Sequence, residues 1–307
     1  MEKRKIIIDT DPGIDDAVAI LAALCSDELN IALFTTVAGN VSVKQTTENL
    51  LKLLNFAGKN VPVAVGCARP LLAPVRNAAG IHGETGMGGY EFALPDESHK
   101  PLPVHAVQAM RDVILTSEEK ITLVPIGPLT NIALLFSMYP ECKENIEKIV
   151  MMGGSASRGN EVPMAEFNIF VDPEAAKIVF DSGVDIVMCG LDVTNKALLT
   201  KENVDEIKDF NRTGQAIYGM FKHYRGGSMN TGFKIHDASA IAYLLRPDLF
   251  TTQRTHVDIE LRGALTYGCT VADLRDKLNL PQNAEVCVDV DAAGFSDWLV
   301  DTLKKSV

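Results

Sequence analysis

Four aspartates crowd into eight positions of the segment IIIDTDPGIDDAVAIL at residues 6–21: Asp9, Asp11, Asp15 and Asp16. Two carboxylates about 4 Å apart repel by roughly 1 kcal/mol in water and roughly 4 kcal/mol at a protein-like dielectric. A bound cation, a shared proton or splaying into solvent must offset that cost. Acidic residues at a helix start also interact with the helix dipole, which accounts for one or two of the four but not all. An oxygen-only donor set with no neighbouring His or Cys suits Ca²⁺ or Mg²⁺ and not Zn²⁺. An EF-hand loop does not fit, because the glycine is misplaced, the terminal Glu is absent and a strand-like run precedes. A haloacid-dehalogenase-type phosphotransferase also opens on a strand and D-x-D, with the first Asp as nucleophile. That pattern usually has Thr or Val where this chain has Gly13, and it lacks the Asp15-Asp16 pair.

The elements that must position this cluster are legible from periodicity. KIIID, IALFTTVAG, VPVAVG, ITLVPIG, KIVMMGG and VDIVMCGLD read as buried strands, and AVAILAALC, TTENLLKLLNFA, AVQAMRDVIL, NIALLF and PEAAKIVF read as helices between them. That alternation predicts an α/β fold with a mostly parallel central sheet and helices on both faces. Asp9 and Asp11 then fall at the carboxyl end of the first strand, Gly13 permits the turn, and Asp15 and Asp16 open the next helix. Carboxyl ends of parallel strands are where open α/β sheets place ligands. Ser42 and Gln45 read as a capping box, and Asp172 before Pro173 reads as an N-cap. The segment from about 196 to 248 reads as mainly helical, an insertion near the site. HVDIEL, AEVCVDV and a closing helix follow. With no repeat and no linker, residues 1–307 read as one domain. The glycine-rich loops at 67–100 and 153–171 exceed usual connection lengths, which often marks function.

Composition narrows the partners. The 307 residues carry a formal charge of −11, are 47% hydrophobic and are 6% aromatic. A net negative chain argues against nucleic acid or an anionic membrane as partner, and favours a neutral small substrate. Cys25, Cys67, Cys142, Cys189, Cys269 and Cys287 are scattered, several in apolar runs, as reduced core thiols are. The basic start MEKRK is followed by too short an apolar run for a signal peptide, and no run reaches membrane-span length. A cytoplasmic protein is expected.

With these features in view, DTDPGIDDAVAI resembles the opening signature of the inosine-uridine preferring nucleoside hydrolase family, D-x-D-x-x-x-D-D. TTVAGNVS, IHGETGMGG, LVPIGPLTNIALL, MMGGSASRGN, AEFNIFVDPEAA, GLDVT and HDASAIAYLL are similar to further family segments, in family order, so the resemblance covers nearly the whole chain. Within the family the likeness is to bacterial ribonucleoside hydrolases that accept both purine and pyrimidine nucleosides. The resemblance implies a Ca²⁺-dependent N-glycosidase that splits a ribonucleoside into ribose and free base, working as a homodimer or homotetramer. Asp11 would bind calcium and act as general base toward a water. Asp16, Asp237 and the Ile126 carbonyl would complete the protein ligands, with Asp9 orienting them from behind. Asp15, Asn40 and Asn168 would hold the 2′ and 3′ hydroxyls, and Asn160 and Glu166 would reach the 5′ hydroxyl. His236 and His82 would stand on the base side as candidate proton donors.

These residues have blander readings too. His236 alone could neighbour a helix cap, Asn160 after Gly159 could serve a turn, and Asn168 could satisfy a buried carbonyl. Tyr224 could stack on the base or pack in a helix bundle, and Trp298 reads as core. Base contacts should come from the loop at 78–90 and the segment at 220–235. A pyrimidine-preferring hydrolase and a non-catalytic nucleoside binder are the alternatives; loss of Asp11 or of the base-side histidine would favour the binder, and both are present.

Overall fold

A computed structural model describes residues 3–95 and 99–307; positions 96–98 of the long loop at 67–100 lie outside the described residues. The strands β1 (Arg4–Thr10), β2 (Leu29–Thr36), β3 (Val63–Val65), β4 (Ile121–Pro125), β5 (Ile146–Met152) and β6 (Ile186–Cys189) form most of an eight-stranded sheet. From one edge the order runs Phe250–Thr255, Ala284–Val290, β6, β5, β4, β1, β2, β3. All neighbours are parallel except the edge pair Phe250–Thr255 and Ala284–Val290. The expected mostly parallel sheet is present, with one antiparallel edge.

Side chains of β1 alternate between two cores. Ile6 and Ile8 join the larger buried cluster, which contains helix α1 (Ile14–Leu24), helix α2 (Val43–Ala57) and the helices Ala238–Leu245 and Ala292–Leu303. Ile7 joins the opposite cluster, with short α3 (Ala79–His82) followed in the chain by α4 (Ala106–Thr116), α5 (Thr130–Met138), and, after short α6 (Phe167–Val171), α7 (Pro173–Phe180); α4, α5 and α7 cover that face. The two-residue period sends Asp9 to the face of Ile7 and Thr10 to the face of α1. That alternation decides which aspartate meets which partner.

Every residue from Ile14 to Ala23 is buried in α1, whose small residues (Ala17, Ala19, Ala22, Ala23) allow close packing against the sheet and the helix Ala238–Leu245. These two helices begin at the same end of the sheet, so Asp15 and Asp16 meet Asp237, the residue that precedes the second helix. Asp172 caps α7 as expected, accepting from Ala175 N at 3.1 Å, and its other oxygen also ties down Thr130 Oγ1 (2.6 Å) and Leu71 N (2.9 Å). The capping box at Ser42 closes on one side only. Ser42 accepts from Gln45 N at 3.4 Å, but the Gln45 amide turns to Asn49 Oδ1 at 3.0 Å, a partner one helical turn ahead.

The segment 196–248 departs from the helical expectation in part. It holds the helices Lys201–Ile207, Arg212–Phe221 and Ala238–Leu245, but also a small antiparallel sheet of Leu198–Leu199, Gly232–Lys234 and Gly227–Ser228. A Cβ on Gly227 would lie 2.1 Å from Gly232 O, so only glycine permits this strand approach. Trp298 is half-buried against Phe295 rather than fully in the core. All six cysteines are free. Among the described residues, no helix is long and apolar enough to cross a membrane.

Candidate active site

Asp16 is the most heavily bonded of the clustered carboxylates. Oδ1 accepts from Thr10 Oγ1 at 2.5 Å and Asp11 N at 3.3 Å; Oδ2 accepts from Gly13 N at 2.9 Å and Asn40 Nδ2 at 3.0 Å. The Gly13 bond places Asp16 as the reciprocal cap of α1. Asp11 differs. Its Oδ2 accepts from Asn40 N at 2.6 Å, while its buried Oδ1 has no protein partner. A Cβ on Gly39 would lie 2.1 Å from Asp11 Oδ2, and one on Gly127 would lie 2.5 Å from Asp11 Oδ1. Two glycines therefore cradle this carboxylate.

Asp15, Asp16 and Asp237 each bring one carboxylate oxygen within 4.8 Å of the other two, all three buried. Burial and then mutual repulsion push Asp15 up to about 8 and hold Asp11 and Asp237 well above the usual carboxylate range. Three carboxylates this close and this buried call for a shared proton or a cation between them. An orphaned Asp11 oxygen, an all-oxygen donor set and clustered buried charge fit a hard divalent cation of the Ca²⁺ or Mg²⁺ type. The Ile126 carbonyl faces the same region, where it accepts from Asn168 Nδ2 at 3.0 Å.

Asp9 stands apart, on the other face of β1. Oδ1 accepts from Thr35 Oγ1 at 2.5 Å and Asn131 Nδ2 at 2.8 Å, Oδ2 has no partner, and burial lifts its pKa to about 7. Asn131 also donates to Thr36 O and accepts from Cys67 N. Sequence reasoning missed Asn131, Thr10 and Thr35, whose bonds cross between strands and helices; LVPIGPLTN carried the only hint of the first.

Beside the cluster lies a cavity of about 500 Å³, within the range of small-molecule sites. Asp15, Asn40, His82, Ile126, Asn160, Glu166, Asn168, Tyr224, His236 and Asp237 all line it. Asp9, Asp11 and Asp16 of the expected set lie behind that wall. Many lining residues also have structural work. Glu166 caps α6, accepting from Asn168 N, Ile169 N and Gly154 N, and burial raises its pKa to about 7. Asn160 Oδ1 accepts from Phe167 N at 2.9 Å. Asn40 spends its amide on Asp11 O and Asp16, leaving its Oδ1 for a ligand. Tyr224 donates to Lys234 O at 2.9 Å and stacks with Phe221 and Phe233, while its ring centroid stands 5.4 Å from that of His82. It both packs in the bundle and edges the cavity.

Burial depresses both histidines, His82 to about 4 and His236 to about 3, the latter with help from Lys234 and His82. His82 Nδ1 lies 3.8 Å from Asp15 Oδ1, but it accepts the Ile14 main-chain N–H at 3.1 Å and so has no proton for an ion pair. Arg225 and Lys234 also line the cavity; no spacing signal marked them.

The family model for inosine-uridine preferring nucleoside hydrolases matches residues 6–297. The chain belongs to that family. It is 54% identical over 296 residues to a protein of Salmonella paratyphi B named non-specific ribonucleoside hydrolase RihC, covering 96% of each chain. A plant nucleoside hydrolase (PpNRh1) superposes with a TM-score of 0.91 at 32% identity, covering 98% of this chain and 99% of that one. A purine-preferring ribonucleoside hydrolase from Gardnerella vaginalis gives the same TM-score and identity, over 98% of both. The mostly parallel α/β sheet is thus the fold of the nucleoside hydrolases.

In this member of the nucleoside hydrolase family, the glycine cradle supplies a direct test. Gly39→Ala places a methyl group 2.1 Å from Asp11 Oδ2 and 2.8 Å from Pro128 Cδ, so the carboxylate must move. We expect activity to fall by about 100-fold, as misplacement near 1 Å does, with divalent-cation affinity weakened in isothermal titration.

Proposed function

We propose that this chain is a calcium-dependent hydrolase that splits the N-glycosidic bond of both purine and pyrimidine ribonucleosides, giving ribose and free base. The observation that carries the reading is the buried Asp15–Asp16–Asp237 cluster, of which Asp15 and Asp237 line a cavity shared with buried His82 and half-buried His236. Family membership and the likeness to a protein named as non-specific support the breadth of substrate.

Asp11, Asp16, Asp237 and the Ile126 carbonyl would hold the ion. Once bound, it would neutralise the clustered charge and supply Lewis-acid polarisation to the oxygens beside it. Breaking the ribosyl–nitrogen bond builds positive charge on the sugar and negative charge on the base. The free oxygen of Asp11 takes the proton of the attacking water. Asp15 and the Asn40 and Asn168 side chains hold the 2′ and 3′ hydroxyls, and Asn160 and Glu166 hold the 5′ hydroxyl. Asp15 and Glu166 then also favour the developing positive charge. Binding at hydroxyls away from the base orients the reacting carbon. His82 and His236 face the leaving base. Family membership alone supports the further reading of a cytoplasmic homodimer or homotetramer in nucleoside catabolism, with residues 1–307 working as one domain.

Base release from inosine, adenosine, uridine and cytidine, with calcium or with a chelator, tests this. Calcium-dependent release from both classes is expected. Release from one class alone would refute the breadth, and binding without release would favour a nucleoside binder.

A further inference from the structure

The two cavity histidines are not free to choose which nitrogen carries the proton. Because His82 Nδ1 accepts the Ile14 N–H, its proton sits on Nε2. His236 Nδ1 lies 2.7 Å from Thr194 Oγ1. Thr194 ends the short helix Leu191–Thr194, in the GLDVT segment, and is fully buried. A hydroxyl can donate or accept, so the contact by itself allows two arrangements. If His236 Nδ1–H donated, the threonine proton would need a second acceptor in a dry site. Among the described residues, Thr194 Oγ1 has no second partner. If the hydroxyl donates, every proton in the contact is bonded, and only an acceptor lone pair goes unused. A buried donor without an acceptor is the costlier fault.

We propose that Thr194 is a positioning residue that donates to His236 Nδ1 and so holds the ring as its Nε2–H form, a hydrogen-bond donor toward the leaving base. This rests on the hydrolase reading. His82 and His236 then present donors of the same sense to the cavity. Purine and pyrimidine rings both carry acceptors next to the bond being broken, N3 or N7 in one case and O2 in the other. Two fixed donors serve either class. As the carbon–nitrogen bond breaks, its electron pair passes to the base, and the Nε2–H groups stabilise that charge by hydrogen bonds. No proton leaves either ring in this step; the base departs as its anion and takes its proton from solvent, while Asp11 returns to solvent the proton it took from the attacking water, so the histidines need not recharge between turnovers.

The test combines leaving-group dependence with a direct view of the ring. Thr194→Val keeps the shape and removes the hydroxyl; Thr194→Ser keeps the hydroxyl. With Thr194→Val, kcat on inosine and uridine should fall about 10- to 100-fold, while kcat on p-nitrophenyl riboside, whose anion needs no donor, should stay within about twofold. Thr194→Ser should restore most of the nucleoside rate. Nitrogen-15 spectra of the calcium-loaded wild-type protein should show His236 with a bare Nδ1 and a protonated Nε2, and the valine variant should lose that pattern. Equal losses on both kinds of substrate, no loss on either, or a protonated Nδ1 in the wild type would each overturn the proposal. Failure of the wild-type protein to release any base would instead overturn the hydrolase reading, and the nitrogen-15 pattern would still decide the tautomer.

Discussion

Asp11→Asn lowers kcat for base release by about 10³-fold, within the range that a positioned general base contributes, while the cation-free protein melts no lower than the wild type. The two halves of this expectation have one cause. Asp11 Oδ2 is already satisfied by Asn40 N, and an asparagine carbonyl can keep that bond. The change therefore falls on Oδ1, the buried oxygen without a protein partner. An amide there cannot accept a proton from water and is a poor cation ligand. It does remove one charge from a set whose members raise each other's pKa, which relieves the empty cluster. Asp9→Asn is the control. Its Oδ1 bonds to Thr35 and Asn131 survive in the amide, so the loss should be about 10-fold, the low end of what a supporting partner costs. A phosphotransferase would show the reverse order, since Asp9 would be its nucleophile. Steady-state kinetics and thermal melts on both variants decide between them.

The second large effect is removal of the cation. Without it, Asp15 in the folded chain titrates near 8 against an ordinary value of 3.8, with burial as the main cause and repulsion from Asp16 second. A carboxyl whose folded pKa is raised holds a proton that the unfolded chain has released. Its contribution to stability is therefore complete below about pH 4 and drains away as pH rises to about 8. Asp9 and Glu166, both near 7, act in the same direction. Each unit of such a shift is worth about 1.4 kcal/mol, so the apo protein should lose on the order of several kcal/mol between pH 5 and pH 8. Calcium bound to the deprotonated cluster, as proposed, should reverse this, adding roughly 4 kcal/mol at a thousandfold excess over Kd. Melting temperatures with chelator and with calcium should nearly coincide at pH 5 and separate steadily toward pH 8. Curves that run parallel across that range would mean that the cluster is not the cation site. Activity should be lost with the cation and return when it is restored.

What could be read along the chain was what local chemistry sets. Apolar runs and helix-period segments placed β1 to β6 and the helices between them, and the turn at Gly13 put Asp9, Asp11, Asp15 and Asp16 at the carboxyl end of the first strand. The family likeness then named a set of residues, most of which line one cavity, Asn160 and Glu166 included, while Asp11 and Asp16 lie behind its wall and Asp9 on the other face of β1. The helical reading failed at 227–234, where Gly227 and Gly232 permit a strand pairing that periodicity does not signal.

Other features belonged to the tertiary structure alone. Asp237 joins Asp15 and Asp16 because two helices distant in sequence start at the same end of the sheet. Asp9 turns away from its neighbours because strand residues alternate faces, which leaves it with Thr35 and Asn131. The sense of His236 depends on Thr194, forty-two residues earlier. By itself, the sequence determined the local elements and the candidate residues they carry, because identity and local backbone preference are properties of short segments. Partners, burial and protonation depend on groups brought together by the order of strands in the sheet, and only the folded chain decides that order.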